Sequence, residues 1–219
     1  MDTSTTYKTV YLVRHGQSEH NAAPIYQGDT ARLSDAGHHQ AEVLANRLAK
    51  VEFEALIASP FTRAAQTAEH IAEKTGKQIT YSDLFTEARK PTSIQGKPYT
   101  DEIASHEWRE WRRSLKESGY RTEDAENVDD IIERGKQALA YILARPEKTL
   151  VVATHGYFIR VLVAEALLGN MLTAELIQPF LNNIGTENTG ITVLRYKDAF
   201  EEEPAWRLWT LNDHAHFAE

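Results

Sequence analysis

Three short apolar runs in this chain alternate with segments whose apolar residues recur at helical spacing, and that alternation leaves few folds open. Thr9–Val13, Ala55–Ala58 and Thr149–Thr154 are brief and rich in β-branched and aliphatic residues, as strands buried on both faces are. After the first, Ser34 is a plausible N-cap, and Ala41, Leu44, Ala45 and Leu48 fall at i, i+3, i+4 and i+7 on one helical face. After the second, Ser59 and Pro60 read as N-cap and first helical residue, with Gly76 placed to end that helix. Residues 78–81 read as a further strand. The run from Tyr157 to Leu168, which follows the third apolar stretch, is apolar nearly all round and reads as a buried helix. Residues 191–196 and 206–211 read as two closing strands. Strand and helix in this succession predict an α/β fold: a single three-layer domain, residues 1–219, whose mostly parallel central sheet carries helices on both faces. No internal repeat and no linker rich in Gly, Ser or Pro divides it.

Residues 84–100, with two prolines and a glycine, read as a loop. Two helices follow, over about 101–117 (Ala104, Trp108, Trp111, Leu115 in a stripe) and about 127–145 (Val128, Ile131, Ile132, Ala138, Leu139, Ile142). Residues 92–127 stand outside the alternation and read as a small helical insertion, a lid. Its cations Arg109, Arg112, Arg113 and Lys116 lie off the tryptophan stripe. They read as a solvated face, with contact to a second acidic group of a substrate as the sharper alternative.

Two of the strands end in the same dipeptide, His15-Gly16 and His155-Gly156. Ligands of open α/β sheets bind outside the carboxyl ends of the strands, so both histidines are expected at the binding edge, each beside a glycine that lets a ligand approach the backbone. Arg14 precedes the first histidine and Arg63 falls in the first turn of the helix after Ala58. Two arginines there make a positive site suited to phosphate, whose oxygens their planar forks bind in pairs. A neutral imidazole is a competent nucleophile toward phosphorus, and a protonated second histidine would help the arginines stabilise charge on the equatorial oxygens. The leaving oxygen then needs a proton donor. Glu87, in the loop after the strand at residues 78–81, is the best placed carboxyl, with Asp83 and Glu19 behind it.

Composition excludes other chemistries. The chain has no cysteine among its 219 residues, so a disulfide framework, a thiolate metal site and a cysteine nucleophile are all ruled out. The formal charge of −8 argues against a nucleic-acid binder. It does not argue against a phosphate ligand, because the acids are clustered. Residues 123–133 hold six (Glu123, Asp124, Glu126, Asp129, Asp130, Glu133) and Glu201–Glu203 three more, and without those nine the remaining 23 acids face 24 Lys and Arg. No apolar run is long enough for a membrane span and the first residues do not resemble a signal sequence, so a cytoplasmic protein without membrane partners is expected. His38, His39 and His70 read as surface residues of helices. His106 reads as a lid residue away from the pocket, and His214 and His216 as part of a frayed tail.

These residues carry a resemblance. Leu12-Val-Arg-His-Gly-Gln-Ser-Glu-His-Asn21, Leu33-Ser-Asp-Ala-Gly-His-His-Gln-Ala41, Ala58-Ser-Pro-Phe-Thr-Arg-Ala-Ala-Gln-Thr-Ala68 and Thr154-His-Gly156 are similar, in order and spacing, to the signature stretches of the histidine phosphatase superfamily, the phosphoglycerate-mutase-like proteins. The resemblance spans about residues 9–212. It implies that His15 is the phosphorylated nucleophile, that Arg14, Arg63 and His155 form the phosphate pocket, and that Glu87 is the acid–base. It further implies substrate contacts at Asn21, Gln27, Gly28 and Gly156, and no cofactor or required metal. The glycolytic mutases that the chain resembles follow the acid with an Arg-Tyr-Gly-like segment, whereas Ala88–Lys97 here does not. A metal-independent phosphatase acting on a small phosphomonoester or a phosphoprotein is therefore expected over a phosphoglycerate-type mutase. A non-catalytic phospho-ligand-binding relative is the remaining alternative, and every expected catalytic position is filled.

Overall fold

The computed structural model describes residues 7–20, 23–122, 124–197 and 205–217. Six strands, β1 (Tyr7–Arg14), β2 (Ala55–Ala58), β3 (Ile79–Tyr81), β4 (Thr149–Thr154), β5 (Ile191–Lys197) and β6 (Ala205–Asp213), form one sheet in the order β3-β2-β4-β1-β5-β6. The pairings β3/β2, β2/β4 and β4/β1 are parallel, while β5 runs antiparallel to both β1 and β6. Only β5 therefore opposes the rest. The chain is a single α/β domain, as the alternation predicts.

The alternating side chains of β4 show the layers. Leu150 and Val152 enter a core with α4 (Val128–Ala144) and α5 (Gly156–Leu168), while Val151 and Ala153 enter a second core with α1 (Asp35–Leu48) and α2 (Thr62–Thr75). All four of those β4 side chains are fully buried, which explains why β4 reads as a continuous apolar run. Helix α5 is buried on nearly every side, from Phe158 to Ala166, again as its composition predicts.

Most boundaries fall where local chemistry puts them. Ser34 Oγ accepts the Gly37 N–H at 3.1 Å and starts α1, and Gly76, with φ of 70°, ends α2 in the left-handed conformation. Asn127 and Asp130 form a reciprocal capping box at the start of α4. The start of α2 differs from expectation. It begins at Thr62 with no side-chain cap, and Ser59 and Pro60 lie before it, outside the helix. Residues 92–127 contain a 3-10 turn (Thr92–Ile94) and α3 (Glu102–Ser114), which packs Trp108 and Trp111 toward the core. Helix α6 (Gln178–Asn183) escapes a periodicity reading because six residues carry no repeating stripe.

One backbone crossing fixes the loop that follows β1. A Cβ on Gly37 would lie 1.9 Å from the Gln17 carbonyl oxygen, and one on Gly16 would lie 2.5 Å from the Gly37 carbonyl oxygen. The first turn of α1 and the loop after His15 thus touch backbone to backbone. Gly37→Ala is expected to cost roughly 3 kcal/mol through forced separation of the two segments. The measurement is the midpoint of urea denaturation, and a midpoint equal to wild type would contradict this packing.

Candidate active site

Paired neighbours β1 and β4 end level with each other, Arg14 opposite Thr154, so the residues that follow, His15 and His155, emerge side by side at the carboxyl edge. Their ring centroids are 5.1 Å apart at an interplanar angle of 60°. Both are buried, His15 at 2% exposure and His155 at 0%. Burial and the nearby Arg63 push both imidazoles well below the usual histidine range, so both are neutral at neutral pH.

The hydrogen bonds of His15 settle its tautomer. Nδ1 lies 2.6 Å from the Gly16 carbonyl oxygen, to which it must donate, and Nε2 lies 3.1 Å from Arg63 Nε–H, from which it must accept. The proton therefore sits on Nδ1, and the lone pair of Nε2 faces the guanidinium of Arg63. Gly16 is held in turn by Thr67 Oγ1, which accepts its N–H at 3.1 Å, and Asn188 Nδ2 donates to the His15 carbonyl at 2.8 Å.

Arg63 is 2% exposed, and its Nη1 donates to the Gly28 carbonyl at 3.0 Å. Burial lowers its pKa to about 10, against the opposing pull of Glu87 and Asp29. Arg14 Nη1 donates to the Thr186 carbonyl at 2.5 Å. Arg14 Nε and His155 Nδ1 are buried polar atoms that make no hydrogen bond among the described residues. A Cβ on Gly156 would sit 3.2 Å from Arg14 Nε and 2.6 Å from Thr186 Oγ1, so a side chain there would have to displace Thr186 Oγ1 and press on Arg14.

Glu87 reaches this edge because Thr154 Oγ1 donates to the Phe85 carbonyl at 2.6 Å, pinning the loop before it. Its carboxylate caps α5. Oε1 accepts the N–H groups of Phe158 and Ala88, both at 3.1 Å, and Oε2 accepts that of Tyr157 at 3.2 Å. Three of roughly four lone-pair positions are thus used, and the remaining one belongs to Oε2. Glu87 also lies within electrostatic reach of Arg14 and Arg63. Glu19 and Asp83 are exposed.

The other expected contacts divide. Gly28 enters through its carbonyl on Arg63, and Gly156 through its close approach to Arg14. Gln27 donates Nε2 to Ser18 Oγ. Asn21 lies outside the described residues, as do Glu123 and Glu201–Glu203. Of the lid cations, Arg109, Arg113 and Lys116 are exposed, whereas Arg112 is half-buried within electrostatic reach of Tyr157 and Arg160. His106 lines a groove with Glu107, Glu110 and Asp124 instead of the site. His38 and His70 are half-buried, with Nδ1 and Nε2 3.0 Å apart.

Sequence reasoning misses several residues here. Lys90 has its ammonium 5.8 Å from the Trp108 ring and 6.0 Å from the Trp111 ring, and burial together with Arg63 lowers its pKa to about 8. The segment 213–217 is no frayed tail. Asp213 pairs with Arg47, His216 Nε2 lies 3.1 Å from Thr189 Oγ1, and His214 Nε2 lies 3.0 Å from the Asn188 carbonyl that it bonds. It thereby buttresses the loop that holds the His15 carbonyl. The polar run Gly185–Gly190 just before β5 is the signal that could have pointed to Asn188.

Two histidines and two arginines gather at the carboxyl edge of an open α/β sheet, an arrangement whose chemistry suits an anionic phosphoryl group. The model of the histidine phosphatase superfamily (branch 1) matches residues 10–212, and the chain belongs to that superfamily. It is 28% identical over 211 residues to a probable phosphoglycerate mutase GpmB of Citrobacter koseri, with 94% of each chain covered. Among solved structures it resembles a mycobacterial glucosyl-3-phosphoglycerate phosphatase, at a TM-score of 0.74 and 22% identity over 94% of this chain and 99% of that one. It also resembles the phosphoserine phosphatase of Entamoeba histolytica in complex with 3-phosphoglyceric acid, at a TM-score of 0.72 and 22% identity over 95% of this chain and 98% of that one. At those identities the two structures speak for the fold. Among the described residues no helix is long and apolar enough to cross a membrane.

Proposed function

We propose that the protein is a phosphatase that hydrolyses a phosphomonoester through a phosphohistidine on His15. The observation that carries this reading is the fixed tautomer of His15, neutral and with the Nε2 lone pair turned toward Arg63. In this mechanism Nε2 attacks phosphorus in line while Arg14, Arg63 and His155 gather the equatorial oxygens. Glu87 gives a proton from Oε2 to the departing alcohol, and in the second step takes one from the water that cleaves the phosphohistidine. His155 serves as a neutral hydrogen-bond donor and not, as the sequence reading expects, as a protonated partner of the arginines.

The name shared by the mutase-like relatives supports the second reading, isomerisation of a phosphorylated sugar acid. The segment after Glu87 favours hydrolysis, since Ala88–Lys97 lacks the Arg-Tyr-Gly-like pattern of the glycolytic mutases. Assaying a panel of phosphorylated metabolites for both phosphate release and isomerisation, with a chelator present, separates the two. Phosphate release outpacing isomerisation is expected, and isomerisation without release would overturn the phosphatase reading.

Lys90 gives the reading a pH signature. Its ammonium is charged at neutral pH and loses its proton as the pH rises through about 8. The positive field beside Glu87 then weakens, so KM for an anionic substrate is expected to rise about threefold to tenfold between about pH 7 and pH 9. Lys90→Arg keeps its charge there, and steady-state kinetics on that variant should show the rise gone.

A further inference from the structure

Ser59 follows β2 directly and is expected, from its neighbour Pro60, to cap the next helix. It does not, because that helix begins at Thr62. Its side chain is fully buried, yet it is a hydroxyl at the end of a sheet strand in the middle of the site. Two contacts account for it. Oγ accepts the Phe61 N–H at 3.2 Å, and Oγ lies 2.8 Å from His155 Nε2. The hydroxyl proton has no other acceptor among the described residues, so it goes to His155 Nε2.

That bond has a consequence for the other nitrogen of the ring. With Nε2 accepting, the neutral imidazole carries its proton on Nδ1, the buried nitrogen that makes no hydrogen bond among the described residues. We propose that Ser59 is a positioning residue of the reaction: it holds His155 as the Nδ1–H tautomer, so that a neutral imidazole donates a hydrogen bond to the phosphoryl oxygens. The inference rests on the phosphatase reading for its kinetic part, though the tautomer stands apart from it. The opposite tautomer would turn a bare lone pair of Nδ1 toward the phosphoryl oxygens, and two acceptors would repel. Burial and the arginines already keep the ring neutral, so selecting the tautomer is what makes His155 useful. The two histidines are thus set by different partners. The Gly16 carbonyl leaves His15 with a lone pair on Nε2, and Ser59 leaves His155 with a proton on Nδ1.

The test combines long-range nitrogen–proton NMR of labelled histidine, with the His155 signals assigned by a His155→Asn variant, and titration with inorganic phosphate. Wild type is expected to show His155 protonated at Nδ1. Ser59→Ala, a smaller residue that fits the same space, is expected to show a mixture of tautomers and about tenfold weaker phosphate binding. Its kcat should fall by about tenfold or more, as for loss of one aligned donor, and Ser59→Thr, which retains the hydroxyl, should restore both. An Nε2–H tautomer in wild type overturns the proposal. So does Ser59→Ala with wild-type phosphate affinity, or with weaker binding and an unchanged tautomer. If wild type releases no phosphate from any substrate, the phosphatase reading fails, while the tautomer and the phosphate titration still decide the role of Ser59.

Discussion

Replacing His15 by alanine is expected to lower turnover by about four orders of magnitude or more and to abolish covalent labelling by a phosphorylated substrate. The size of the effect follows from what else the site holds. The chain has no cysteine, and Ser59, the hydroxyl that neighbours His155, has its oxygen engaged by Phe61 and its proton by that ring. Ser59 therefore does not replace the Nε2 lone pair. What survives is the proposed phosphate pocket of Arg14, Arg63 and His155, and the variant also frees Arg63 Nε–H from its bond to His15. Inorganic phosphate should therefore bind His15→Ala within about threefold of wild type, or more tightly, because a donor now looks for an acceptor. Rapid-quench trapping of the acid-labile phosphoenzyme and phosphate titration check the two halves. A fully active His15→Ala protein would remove the covalent mechanism.

The parts of this site that the sequence reveals are those in which a short run of residues dictates both place and chemistry. Each His-Gly pair follows an apolar strand, and a parallel sheet sends the ends of such strands to one edge, so His15 and His155 were legible together with Arg14. Arg63 was legible because its helix follows β2. Glu87 could be named but its anchoring could not, since the N–H groups of Tyr157 and Phe158 that hold it lie some seventy residues further along the chain. Ser59 shows the reverse case. Ser-Pro is a sound helix-start signal, and it misleads here because a tertiary contact with His155 outbids the local cap. His214 and His216 fail as a frayed tail for the same reason: Arg47 of α1, far off in sequence, supplies the partner that orders them. Fold class and the place of the proposed nucleophile are local properties, whereas tautomers, supports and the state of Lys90 are set by what the fold brings next to them.

Arg134 is another such support, and Arg134→Met is expected to cost about 3–5 kcal/mol of stability and to lower kcat by about tenfold to a hundredfold. Its side chain is 7% exposed and uses all its donors. Nε and Nη2 grip the two oxygens of Glu126 at 2.6 and 2.8 Å, Nη1 donates to the carbonyls of Leu84 and Thr86 at 3.0 and 2.8 Å, and Nη2 reaches the carbonyl of Glu87 at 3.4 Å. The guanidinium also stacks 4.1 Å over the Phe158 ring. It thus ties α4 to the loop that carries the proposed acid and to the first turn of α5 that the acid caps. Methionine preserves the bulk but leaves Glu126 as an unpaired carboxylate and three carbonyls without donors. The stability and the rate are separable. Adding Glu126→Gln removes the stranded charge and should return a large part of the lost stability, yet it offers nothing to Leu84, Thr86 or Glu87, so kcat should stay low. Denaturant midpoints and steady-state kinetics on the four proteins of this double-mutant cycle decide the matter. Recovery of kcat along with stability would mean that Arg134 matters only for the fold, and that the Glu87 loop keeps its place without it.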